Sequence, residues 1–193
     1  MPRLSVTQRI AVVSLFSALA IVTDFLMLPL ANIKLMDSIV FVSTLAFGLS
    51  VGISVASLTW LVYGSINPLG SATGPWLVLL ILSEMIYVFF GWLVSTKINS
   101  GAYRLGERSL LFGLLGLFGA FFYDLNTIVT PELLSGVSLQ VTLASLPLAV
   151  PFMVSHELSD LVFFMLIAPP LYAAVTRVGR LKFGRGMVEA GAR

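Results

Sequence analysis

The sequence predicts an all-α integral membrane protein, a six-transmembrane-helix bundle forming one domain over residues 1–193 with both termini cytoplasmic. Three observations carry this expectation. Hydrophobic residues make up 58% of the chain and charged residues only 10%, against about 25% charged in ordinary soluble domains. The mean hydropathy is +1.02, far above that of a soluble core with a polar shell. The third is the sorting of the basic residues. Arg3, Arg9, Lys97, Arg104, Arg108, Arg177, Arg180, Lys182, Arg185 and Arg193 fall at what would be one face of six crossings, and Lys34 alone falls at the other. Lys and Arg concentrate in short cytoplasmic segments, so this bias places both ends inside. An odd number of crossings would split the basic set.

The first helix is expected over residues 10–30, between Arg9 and the Asn32, Lys34 and Asp37 turn. Asp24 interrupts its apolar run and no small-residue cleavage site follows, so it reads as a helix of the bundle and not as a signal peptide. From Ser38 to Ser83 no residue is charged. A helix rises about 1.5 Å per residue, so that run is too long for one crossing. Gly48 to Gly52 is the natural turn, giving helices over 37–49 and 52–66. The segment from Gly64 to Pro75 is dense in turn residues and reads as a loop. A fourth helix is expected over 76–96 and a fifth over 109–129, stopping at Pro131. Residues 132–151 are mixed, with a short outer helix over 139–148. The sixth helix would cover 151–176 with a polar start, before a basic cytoplasmic tail over 177–193.

With no Cys, disulfides, thiolate metal sites and Cys nucleophiles are absent. A single His leaves no His-rich cage, so no metal site is expected. No GxxxxGK[ST] loop occurs, so this chain does not itself bind ATP through that motif. Nothing points to nucleic acid or to catalysis, and the chain reads as a non-enzyme.

Charge inside hydrocarbon costs at least about 2.5–3.5 kcal/mol per group on insertion scales and so faces a protein interior or cavity. Asp24, Glu84, Asp124, His156, Glu157 and Asp160 are the groups concerned. All are expected in the outer half of the bundle, which implies a polar pocket opening outward. His156 and Asp160 share a helix face, as do Glu84 with Tyr87 and Asp124 with Thr127. Trp76, Tyr87, Phe121, Phe122 and Tyr123 would supply aromatic walls. Apolar walls with a few convergent polar groups make a small-molecule site, and the excess of acids favours a basic or cationic ligand. Plainer readings stand beside this one. Asp124 and Glu157 would reach the interface and be solvated; Asp160 would cap or pair with His156; Trp76 and Trp92 would be interfacial belt residues; Met27, Met36, Met85 and Met153 would be packing. Ala11, Ser14 and Ala18 form a small-residue stripe that allows close helix approach, in the bundle or to a partner.

Together these features resemble the substrate-binding (S) component of energy-coupling factor (ECF) transporters. The resemblance runs through Leu15-Phe-Ser-Ala-Leu-Ala20, Ala46-Phe-Gly-Leu-Ser-Val-Gly52 and Ile66-Asn-Pro-Leu-Gly70. It is closest in Phe122-Tyr-Asp-Leu-Asn-Thr127, Ser155-His-Glu-Leu-Ser-Asp160 and Ala168-Pro-Pro-Leu171. It implies the six-helix S-component fold in a prokaryotic plasma membrane. It also implies a capped outer pocket and a complex with a transmembrane coupling protein and two cytoplasmic ATPases, which use the ATP. The site would comprise Asp24, Asn67, Glu84, Tyr87, Tyr123, Asp124, Thr127, His156, Glu157 and Asp160, with Ala11, Ser14 and Ala18 meeting the coupling protein. Position 160 is Asp where the family pattern implies an amide, which makes the pocket more acidic. The cargo class is a vitamin or vitamin precursor, basic or cationic, for example thiamine-related. Competing readings are a stand-alone proton-coupled transporter using Asp24, Glu84 or Asp160, an intramembrane metal hydrolase built on His156, Glu157 and Asp160, and a scaffold of similar fold.

Overall fold

The computed structural model describes residues 4–97 and 105–177. Arg3, Arg104, Arg180, Lys182, Arg185 and Arg193, and with them nearly all of the basic tail, lie outside the described residues. The described chain is all-helical: α1 (Val6–Met27), α2 (Met36–Phe47), α3 (Leu49–Ile66), α4 (Gly74–Lys97), α5 (Leu105–Leu134) and α6 (Leu139–Leu166). Helix resumes after Ile167 over 168–177. Five helices are long and apolar enough to cross a membrane. The sixth, α2, has 12 residues, or about 18 Å of helix against a hydrocarbon core of about 30 Å.

That short helix is the centre of the molecule. Every residue from Met36 to Ala46 is buried, and α2 packs against α1, α3, α4 and α6. Small residues make this possible. A Cβ at Gly52 of α3 would fall 1.8 Å from the Thr44 hydroxyl oxygen, and one at Gly91 of α4 would fall 2.6 Å from the Phe41 carbonyl oxygen. Thr44 and its turn of α2 thus lie in two glycine notches, the close approach that small residues permit in membrane bundles. Below, Phe41 meets the edges of Phe112 of α5 at 5.0 Å and tilts against Phe164 of α6 at 5.1 Å. The outward faces are apolar, with Leu15, Leu26, Leu61, Leu82, Phe118, Phe122 and Leu158 all exposed. Apolar surface on this scale marks a lipid-facing exterior.

Several helix ends differ from those expected. α1 starts at Val6 because Ser5 and Gln8 form a reciprocal capping box, and it ends ahead of Pro29. The turn between α2 and α3 is Gly48 alone, at φ 96°, a left-handed conformation that glycine adopts without penalty; Gly52 is a helix-packing residue and not part of the turn. Pro131 does not stop α5, which runs on to Leu134. A proline this near a helix end removes only one late hydrogen bond.

The largest difference is in α6. The expected outer helix over 139–148 and the sixth crossing from 151 are one continuous helix, capped by the Ser138 side chain on Val141 N. Pro147 and Pro151 sit inside it, four residues apart and exposed. Their rings are on the exposed side of the helix, and the bonds they delete lie on one face. His156 is consequently deep within a long helix, not in its first turns.

Candidate functional site

Five carboxylates are buried in the described part of the bundle: Asp24 of α1, Asp37 of α2, Glu84 of α4, Asp124 of α5 and Asp160 of α6. His156 lies among them with 0% exposure. Its Nε2 is 2.9 Å from Asp37 Oδ2 and its Nδ1 is 3.0 Å from Asp124 Oδ1. Asp160 Oδ2 is 4.0 Å from Nε2 and accepts the Tyr87 hydroxyl at 2.7 Å. Both ring nitrogens thus face carboxylate acceptors. Each contact is a hydrogen bond only if it holds a proton, so the ring is an imidazolium or one aspartate is protonated.

Beside this centre lies an aromatic wall. Trp60 of α3 donates Nε1–H to Glu84 Oε2 at 3.1 Å. The Trp60 and Tyr123 rings are near-parallel, 6.3 Å apart at 17°, and Tyr123 meets the His156 ring edge-on at 5.6 Å. The Lys34 ammonium stands 4.9 Å from the Trp60 centroid and 5.4 Å from that of Tyr123, within cation–π range. Lys34 belongs to the α1–α2 connection, which is pinned to α6: Asn32 Nδ2 donates to Phe152 O at 3.0 Å and Ser155 Oγ to Ala31 O at 2.9 Å. Asp24 closes this side, accepting Met36 N at the start of α2 at 3.2 Å.

Polar valence is left over. Asp24 Oδ2, Glu84 Oε1, Asp124 Oδ2, Asp160 Oδ1 and the Tyr123 hydroxyl are buried with no hydrogen-bond partner among the described residues. Buried polar atoms ordinarily find partners, so the cluster has spare acceptor capacity.

The structure brings Asp24, Glu84, Tyr87, Tyr123, Asp124, His156 and Asp160 together, though they were expected from four different helices. Three other expected site residues lie apart from the hydrogen-bonded set. Asn67 turns its amide oxygen to Leu69 N in its own loop at 2.9 Å. The Thr127 hydroxyl donates to the Tyr123 and Asp124 carbonyls of its own helix. Glu157 is half-buried, next to His156 in sequence but turned from it by the helix pitch. The plainer reading of a solvated Asp124 fails, since it is 5% exposed and bonded to His156. Ala11, Ser14 and Ala18 are all exposed on the outer face of α1.

Sequence reasoning missed Asp37, Lys34 and Trp60. Asp37 reads as a turn residue because it sits at the edge of an apolar run. One signal was present: the helix it opens is too short to cross the membrane, so its first turn must begin below the surface. No known protein family, curated protein or solved structure matches this chain.

Proposed function

We propose that this chain is a membrane-embedded substrate-capture subunit of the ECF importer type, binding a basic or cationic small molecule. The single observation behind this reading is the aromatic and acidic niche in which Lys34 now lies. Two near-parallel rings, with Glu84 behind one of them and an excess of buried carboxylates around them, form a cage for a positive charge. A cationic ring, such as that of a thiamine-related compound, would replace the lysine ammonium against Trp60 and Tyr123. The α1–α2 connection, tied to α6 by the Asn32–Phe152 and Ser155–Ala31 hydrogen bonds, would move with it. In this reading the termini are cytoplasmic, the niche opens to the outer side, and a coupling protein docks on the exposed small face of α1 with two ATPases beneath.

The test is purification in detergent followed by mass spectrometry of co-purifying small molecules, and uptake assays in cells with and without ECF ATPases. A bound organic cation and uptake that vanishes with the ATPases are the expected results. An empty site and no thermal shift with any cationic vitamin precursor would count against it.

A second reading is favoured by one specific contact set, the Asp124–His156–Asp37 chain. Such a chain can pass a proton from one carboxylate to the other through the imidazole, as in proton relays of secondary transporters. Uptake that persists without the ATPases and collapses with the proton gradient would select it.

A further inference from the structure

The cation cage uses Trp60, Tyr123 and Glu84, and it leaves the histidine side of the cluster without a role. One ligand atom from each of Asp37, His156 and Asp160 lies within 4.8 Å of the other two. We propose that these three atoms bind a divalent transition-metal ion, with Asp124 holding the imidazole from behind. The proposal goes beyond the cargo reading and does not rest on it.

Two of the three spacings, those to the imidazole nitrogen, suit one ion. Ligand atoms at about 2.1 Å from a metal lie about 3.0 Å apart at a right angle and about 4.2 Å apart when opposed. The observed Nε2 distances are 2.9 Å to Asp37 and 4.0 Å to Asp160. The ligands come from regular helices: Asp37 from the first turn of α2, buried from Met36 to Ala46, and His156 and Asp160 from one face of α6.

The surrounding groups are those of a metal centre. Asp124 Oδ1 on Nδ1 is the carboxylate–histidine arrangement that fixes the tautomer and directs the other nitrogen to a metal. Tyr87 donates to the ligating oxygen of Asp160 and so sets its direction. The second oxygen of Asp160, on a side chain with 0% exposure, has no partner among the described residues, nor has that of Asp124 or the Tyr123 hydroxyl beside the ring. Five buried carboxylates also face only Lys34 and His156 as cationic groups in the cluster. An ion of charge +2 would displace the proton at Nε2, leave Nδ1–H on Asp124, and offset the excess of negative charge.

The donor set selects the class of ion. One imidazole nitrogen with two carboxylate oxygens suits Mn²⁺, Fe²⁺, Co²⁺ or Zn²⁺, whereas Mg²⁺ and Ca²⁺ prefer oxygen alone and soft ions prefer sulfur. The sequence reading of no metal site counted histidines; the proposal adds carboxylates brought in from other helices.

The test uses the full chain in detergent, its affinity tag removed and its metals stripped with chelator. Mn²⁺ binding is followed by electron paramagnetic resonance, Co²⁺ binding by visible absorption, and stoichiometry by elemental analysis after dialysis. One ion per chain is expected. Asp37→Asn, Asp160→Asn and His156→Gln should each weaken binding by about a hundredfold or more, and Asp124→Asn by about 10–100-fold as for other outer-shell carboxylates. Glu132→Gln, at the far end of α5, should bind as the parent does. Variants are compared only where they elute as a single monodisperse species, and the parent titration stands without them. No binding to the parent chain up to about 1 mM ion, or parent-like binding by both Asp37→Asn and Asp160→Asn, would overturn the proposal.

Discussion

Two kinds of side chain in the cluster make different demands on substitution. Glu84 accepts the Trp60 indole through one oxygen and leaves the other spare. Glu84→Gln keeps an acceptor for the indole and removes the charge. It should leave the unfolding temperature in detergent nearly unchanged while lowering retention of a cationic ligand at least tenfold; unchanged retention would make Glu84 a structural group. Tyr87 is fully buried, and its hydroxyl is the only donor on Asp160 Oδ2 among the described residues. Tyr87→Phe therefore strands a buried carboxylate oxygen, a loss of about 1–3 kcal/mol that thermal unfolding would register as a lowered midpoint. Most of these residues were legible from the chain alone, because a charge inside an apolar run stands out. Asp37 and Trp60 were not. An aspartate at the margin of such a run looks like any solvated turn residue, and a tryptophan within one looks like packing until the helix facing it is known.

At the level of elements, the tightest pairing is that of α5 with α6. It depends on Gly113 and Gly116 of α5, while Gly119, the next in the same three-residue spacing, faces Tyr87 of α4. A Cβ at Gly116 would come 2.6 Å from the Phe164 ring and 2.8 Å from the Asp160 carbonyl oxygen; one at Gly119 would come 2.5 Å from the Tyr87 ring. Gly116→Ala must push α6 away at the very turn that carries Asp160, and overpacking of this kind costs about 1–3 kcal/mol. Gly106→Ala, on the same helix with nothing within 4 Å, should cause no loss, so the pair measured together by thermal unfolding isolates the packing effect. Gly48 makes a separate demand: at φ 96° and ψ 173°, Gly48→Ala should destabilise the α2–α3 connection by about 1–3 kcal/mol. Existence and order of the helices were legible from hydropathy. Their ends were not where prolines fall inside a membrane segment, since proline is tolerated there when its ring points away from packed neighbours.

For the whole molecule, the absence of cysteine makes topology directly measurable. Ser135→Cys, between α5 and α6, should react with a membrane-impermeant maleimide added to intact cells, whereas Ser5→Cys should react only after the membrane is opened. The reverse pattern would invert the orientation drawn from the basic residues. Apolar content made the membrane bundle legible, but convergence of the acids could not be read, because it depends on how deeply one short helix sits. That helix has a consequence for how the protein is made. α2 leaves the ribosome long before α4 and α6, yet its 12 residues cannot span the bilayer alone and nearly all of them end up inside protein. It must enter the membrane paired with α3 through Gly48 and await a surround that is synthesised later. Asp37 then remains unsheltered until α6 arrives with His156. Biogenesis of the N-terminal half is thereby tied to completion of the C-terminal half, and chains truncated before α6 should be recognised and degraded as unfinished.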